Sequence, residues 1–115
     1  MALNIAAITT ITGLTAMHTN SSTTIYELVA TPSANTLHKL NSLYIANTTT
    51  LLTADVYITR SSVLQYLCKA LSIAANTTAV LITKDASIYM MPGDVLNVVG
   101  SATGLVFTVS YETLV

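Results

Sequence analysis

Few residues in this chain belong to the types that do chemistry, and their spacing limits what they can do together. The carboxylates are Glu27, Asp55, Asp85, Asp94 and Glu112, and the histidines are His18 and His38. A catalytic metal needs three side chains converging on one point with a fourth position open. The histidines stand twenty positions apart, and nothing in the spacing of the carboxylates completes a ligand set. A serine nucleophile needs an adjacent base, yet no G-x-S-x-G elbow occurs and neither histidine is placed to serve one. No paired carboxylates suggest general acid–base work. Cys68 is the single cysteine, so an internal disulfide is ruled out. With no cation or histidine cluster around it, it reads as a small apolar residue rather than a reactive thiol. The expectation is a protein that is not an enzyme, with no cofactor and no metal.

One short stretch resists that reading, Tyr89-Met90-Met91-Pro92-Gly93-Asp94. A Pro-Gly-Asp turn before a strand occurs in cupin barrels, whose metal sits on an H-x-H pair, and this chain has no H-x-H. The turn reading is sufficient. Pro92 presets φ, Gly93 supplies a positive φ, and Asp94 caps free N–H groups of the turn. Met90 and Met91 read as an adaptable apolar contact patch. Tyr89, Met90, Met91, Pro92, Gly93, Asp94 and, near the C-terminus, Tyr111 are the candidate turn or interface positions. The six tyrosines, Tyr26, Tyr44, Tyr57, Tyr66, Tyr89 and Tyr111, fall one per expected strand, as half-buried residues with the hydroxyl at the rim. Asn20-Ser21-Ser22, Asn47-Thr48-Thr49 and Asn76-Thr77-Thr78 satisfy the N-glycosylation rule. In a chain so rich in Asn and Thr, turns closing strand connections explain all three.

The elements that must position these residues are strands. A chain of 115 residues makes one ordinary domain. Thr, Val, Ile and Tyr crowd it, and no stretch has the length and pattern of a helix. Strands are expected at 10–18, 24–29, 38–47, 53–60, 65–74, 78–83, 87–91, 94–100 and 105–111. Val56 and Ile58 alternate with Asp55, Tyr57 and Thr59; Leu71 and Ile73 alternate with Ala70, Ser72 and Ala74. Leu105, Phe107 and Val109 alternate with Val106, Thr108 and Ser110, and Val106 suggests a strand contacted on both faces. Turn residues punctuate the intervals, among them Thr31–Thr36, Lys84–Ser87 and Ser101–Gly104. The expected fold is all-β, an antiparallel β-sandwich of about eight strands for which a jelly-roll is one available topology. Residues 1–9 are expected to form an N-terminal arm or first edge segment, and 10–115 the single sandwich domain.

Charge narrows the function classes. Charged residues make up 8% of the chain and the net charge is −1, where soluble domains run to about 25% charged. Mean hydropathy is +0.65. No uninterrupted apolar run is long enough to span a membrane as a helix. The first twenty residues lack the basic region of a secretory signal. Lys39, Arg60, Lys69 and Lys84 are scattered and form no stripe for phosphates. Neither nucleic acid nor membrane is therefore an expected partner. A surface this poor in charge is expected to be covered by other proteins, and the chain to work as a homo-oligomer, a trimer among the candidates.

The segments Leu40–Ile58 and Ile73–Leu114 carry a resemblance. An apolar strand ends in Asn and is followed by a strand of the form x-V-x-I. A later strand leads into Y-x-x-x-G-D, and the chain closes on S-Y-E; Tyr89, Gly93, Asp94, Ser110, Tyr111 and Glu112 hold those positions. This plan resembles small β-sandwich virion structural proteins of tailed bacteriophages, of the cyanophage and marine-phage type. The resemblance implies a virion component made in the host cytoplasm, without catalysis. The favoured placement is a capsid decoration (cement) protein binding the major capsid protein. The alternatives are a neck, tail or baseplate subunit and, further off, a carbohydrate-binding module of a fibre using Tyr89 and Asp94.

Overall fold

The computed structural model of the protein describes residues 7–115, so most of the expected N-terminal arm (1–6) lies outside the described residues. Nine strands form: β1 (Ile11–Thr19), β2 (Tyr26–Val29), β3 (Leu37–Asn47), β4 (Leu52–Arg60), β5 (Val63–Ile73), β6 (Thr77–Ile82), β7 (Ile88–Met90), β8 (Val95–Gly100) and β9 (Leu105–Leu114). All nine expected strands are present, with ends displaced by three residues at most. One sheet has the order β1-β9-β3-β6, with the short β7 also paired to β3; the other has the order β2-β8-β4-β5. All pairings are antiparallel. Setting β7 aside, the order is that of a jelly-roll, two Greek keys folded face to face. The strand beyond eight is β7, which meets β3 at His38–Leu40 while β6 meets it at Leu43–Asn47. The two short strands share one edge of β3.

The core lies between the sheets. Leu40, Leu43, Ile45, Phe107 and Val109 from one sheet are fully buried with Val56, Leu96 and Val98 from the other. Each such side chain contributes about 1.5–3 kcal/mol relative to exposure. The period of two holds in β9, where Leu105, Phe107 and Val109 point inward. β9 runs between β1 and β3; on its outer face Thr108 is buried by its cross-strand neighbours, but Val106 is half-buried and no second layer covers that face among the described residues.

Tyr57 keeps the expected alternation but not the exposure that goes with it. It lies on the outer face of β4 yet is only 5% exposed, because the Tyr66 ring on β5 leans against it with centroids 5.3 Å apart. The β4–β5 connection is a two-residue turn at Ser61-Ser62, with φ of 52° and 65°. Two successive left-handed residues define a type I′ hairpin, whose twist matches that of the strands. β5 is bulged at Ala70 (φ 52°), whose N–H turns away from the ladder and donates to Asp55 Oδ1 at 2.6 Å.

Candidate functional site

The Pro-Gly-Asp corner is a closed structural device. Met91-Pro92-Gly93-Asp94 is a type II turn, with Gly93 at φ +98° and the Asp94 N–H donating to the Met91 carbonyl at 2.9 Å. The Gly93 N–H donates to Thr31 Oγ1 at 2.6 Å, tying the corner to the β2–β3 connection. Asp94 caps the turn as the sequence suggests, accepting the Met91 N–H on Oδ2 at 2.9 Å. Its larger partner is Arg60. The β4–β8 ladder ends at Thr59 opposite Val95, which brings the next pair, Arg60 and Asp94, face to face. Arg60 Nε donates to Oδ1 at 2.7 Å and Nη2 to Oδ2 at 2.6 Å, a bidentate fork. Those hydrogen bonds hold the Asp94 carboxyl below its ordinary value against the upward push of burial, and the Met91 N–H assists. With both oxygens engaged and the residue 1% exposed, Asp94 has nothing to offer a ligand.

The other candidate positions divide between inside and outside. Met90 is fully buried in the core and presents no surface to a partner; Met91 is half-buried beside it. Tyr111 packs against the core, its ring tilted over His38 with centroids 5.2 Å apart. Burial pushes the His38 imidazole below its ordinary value, and its Nδ1 has no partner among the described residues. His18 is six ladder steps away along β9, opposite Phe107 rather than Thr113, and stacks flat on Tyr26 of the other sheet. The histidines therefore do not meet. Among the described residues no three of His, Cys, Asp and Glu come together as metal ligands. Cys68 packs against the core with Sγ 3.7 Å from the Ala54 carbonyl, and burial pushes its thiol up.

Two of the three Asn-x-Ser/Thr asparagines are internal clasps. Asn20, 3% exposed, accepts the Gly104 and Leu105 N–H groups on Oδ1 at 3.1 and 2.8 Å and donates from Nδ2 to the Ala102 carbonyl at 2.5 Å. Gly100 makes room for it: a Cβ there would also lie 2.8 Å from Leu105 Cδ1. Asn47, 1% exposed, donates to the carbonyls of Thr50 and Ile73 and accepts the Thr49 N–H. The turn reading holds for Asn47, whose Oδ1 accepts the N–H two residues on, whereas Asn20 clasps a connection more than eighty positions away.

What the fold does present is a broad outer face on the β1-β9-β3-β6 sheet. Cross-strand neighbours share a face, so the register sets out its rows. Met17, Thr108, Tyr44 and Val80 form one row; Gly13, Glu112, Lys39 and Tyr89 form another. Met17, Tyr44, Val80 and Tyr89 are all exposed, Met17 to 70%. Lys39 and Glu112, opposite one another, are the only charged residues on the strands of this sheet. A shallow cleft of about 240 Å³ runs between Ile8, Ile11, Lys39, Tyr89, Glu112 and Leu114. On the other sheet Lys69 approaches Asp55 at 3.8 Å, beside a cleft of about 260 Å³ at the Ala70 bulge.

No protein-family model and no curated protein matches the chain. Among solved structures it is similar to a protein of Bacillus endospore appendages, described as a novel family of disulfide-linked pili. The TM-score is 0.57 at 12% identity, over 99% of this chain and 95% of that one. A chain of infectious bursal disease virus, Gx strain, matches at a TM-score of 0.40 and 11% identity, over 89% of this chain and 28% of its own. The appendage overlay spans both molecules and is a likeness of fold; the viral one is too loose to argue from. Neither neighbour is a tailed-phage protein.

Proposed function

We propose that the protein is a non-enzymatic structural subunit of a repeating particle, placed by preference as a capsid decoration protein of a tailed-phage virion. The observation that carries this reading is the outer face of the β1-β9-β3-β6 sheet, where exposed Met17, Tyr44, Val80 and Tyr89 stand among threonines and serines with a single pair of opposite charges. Exposed apolar patches of this kind mark protein contacts, and covering an uncharged face avoids the desolvation of ions. Such a subunit would bind copies of itself and the major capsid protein, several small contacts adding through effective concentration. The same face would serve a neck, tail or baseplate subunit. The sugar-binding alternative asked Tyr89 and Asp94 to share a surface, and the burial of Asp94 removes that pairing.

A second reading is favoured by the whole-length overlay: a subunit of a filamentous appendage. Cysteine content separates this chain from disulfide-linked pili. This chain has only Cys68, and one cysteine per subunit can form one disulfide at most, so disulfides could not link its subunits into a continuous filament. The test is to measure the protein's copy number in purified virions by quantitative mass spectrometry and locate it by cryo-electron microscopy. Copies matching the capsid lattice support decoration, and a small ring number moves it to the neck or baseplate. Absence from virions sinks the phage reading, and its recovery in extracellular filaments would then establish the second.

A further inference from the structure

Three of the four sheet edges are blunted in the ways natural sheets use. β2 has four residues and a register shift, β6 has six and a shift, and β5 carries Lys69 and two shifts. β1 is different. It runs nine residues, Ile11-Thr-Gly-Leu-Thr-Ala-Met-His-Thr19, without proline, lysine, acid or bulge, in unbroken register with β9. Thr10 and Val115 exchange both backbone hydrogen bonds, at 3.0 and 2.9 Å. Antiparallel pairs alternate between bonded and non-bonded. The even-numbered residues of β1 therefore bond to β9, as the Asn20 N–H does to Leu105. The N–H and C=O groups of Ile11, Gly13, Thr15, Met17 and Thr19 point to the free edge, and no described residue pairs with them.

We propose that this edge binds the same edge of a second copy, antiparallel about a two-fold axis at Thr15, to give one continuous sheet across two subunits. In that register Thr15 faces the partner's Thr15, Gly13 faces Met17, and Ile11 faces Thr19. These are the residues whose backbone groups are free, so every pair is a bonded one. The side chains fit as large against small. Met17, 70% exposed, comes over Gly13, around whose Cβ position nothing lies within 4 Å. On the other side of the strand Leu14, 43% exposed because β2 is too short to cover it, meets Ala16. No charge on either strand opposes the approach. The axis leaves both outer faces on the same side, so pairing doubles the uncharged surface available to a larger partner.

The inference rests on the assembly-subunit reading for its purpose, but its test is separate. Sedimentation equilibrium across a concentration series should give twice the 12.1 kDa chain mass. Thr15→Pro removes an N–H that bonds to nothing within the subunit and should yield a monomer with an unchanged far-ultraviolet spectrum. If that variant fails to fold, Gly13→Glu, accommodated in the open space of the monomer, should do the same. In a Cys68→Ser background, Thr15→Cys should cross-link to itself on oxidation, since bonded pairs set Cα atoms about 5.5 Å apart, inside the disulfide range. A wild-type monomer at every concentration overturns the proposal, as does a dimer indifferent to both edge variants. Oligomers that Thr15→Pro dissolves but Thr15→Cys fails to cross-link overturn the two-fold form, because β1 is then paired to a different strand. A chain that pairs through β1 and is absent from virions keeps this inference and loses the phage reading.

Discussion

Replacing Arg60 with methionine tests the account of Asp94 most directly, because it keeps much of the stem and deletes the guanidinium. The pair is lopsided: the Asp94 side chain is 2% exposed and that of Arg60 50%. Removing the aspartate leaves a cation that water can take up. Removing the arginine leaves a carboxylate with one N–H, from Met91, in a site that is 2% exposed while Arg60 covers it. Breaking a fully buried pair costs about 3–5 kcal/mol, whereas an exposed pair is worth about 0–1 kcal/mol. With the stranded partner the buried one, Arg60→Met should cost about 3 kcal/mol at neutral pH. For a chain of this length that is a fall in Tm of roughly 12 °C. Asp94→Asn keeps an acceptor near the Met91 N–H and should cost less, about 1–2 kcal/mol.

The dependence on pH separates charge from packing. In the wild type the folded pKa of Asp94 is depressed, chiefly by the Arg60 hydrogen bonds. Its stabilisation is therefore fully present above the unfolded carboxyl value and is lost as pH falls through the folded one. In Arg60→Met the main downward cause is gone and burial pushes the value up, so the sign reverses. The variant loses stability as pH rises through the unfolded value and regains it on acidification. Urea unfolding of both proteins from neutral pH to about pH 3.5 should show the gap between them closing. A gap that stays constant, or an Asp94→Asn variant weaker than Arg60→Met at neutral pH, would refute the reasoning and assign the effect to the lost stem packing.

Two further outcomes follow from the buried polar groups. Asn20→Ala leaves the Gly104 and Leu105 N–H groups unpaired and should cost about 2–4 kcal/mol in urea unfolding, each orphan being worth about 1–3 kcal/mol; a loss under 1 kcal/mol would mean water replaces the amide. His38 is held below its ordinary value by burial. The unfolded chain thus takes up its proton first, and stability falls as pH drops below about 6.5. His38→Gln should flatten that part of the profile, and an unchanged slope would place its cause elsewhere.

Most of the architecture was legible because it is local. Alternation and turn residues located nine strands, and the Pro92-Gly93 pair announced a type II corner with Asp94 as its cap. The parts that were not legible are long-range. Nothing about Arg60 in sequence says that the register of β4 on β8 will seat it on Asp94, thirty-four positions away. The Ser61-Ser62 hairpin hides because serine pays no visible tribute to a left-handed turn, where Asn-Gly would have declared it. Met90 reads as a contact residue at the end of a strand; β7, pairing with β3, turns it into the core instead. Tyr57 followed the alternation and was buried anyway, by a neighbour on the next strand.

The low charge content gains meaning only when the charges are placed. Arg60 and Asp94 close a corner, Asp55 holds the Ala70 bulge with Lys69 beside it, and Lys84 and Asp85 sit in a surface turn. Glu27 is alone on the short β2. That leaves Lys39 and Glu112, mutually opposed, for the whole of the β1-β9-β3-β6 sheet. Charge is what keeps a subunit's faces and edges apart from their copies. Here most of it lies elsewhere, so the longest unbulged edge carries none and the outer face beside it only one opposed pair. The two omissions fall on the same sheet and meet at β1, where Met17 belongs to the exposed row and to the free edge at once. A sheet joined to its copy along β1 and covered by a partner on its outer face would need no ion to be desolvated except the Lys39 and Glu112 that already oppose each other.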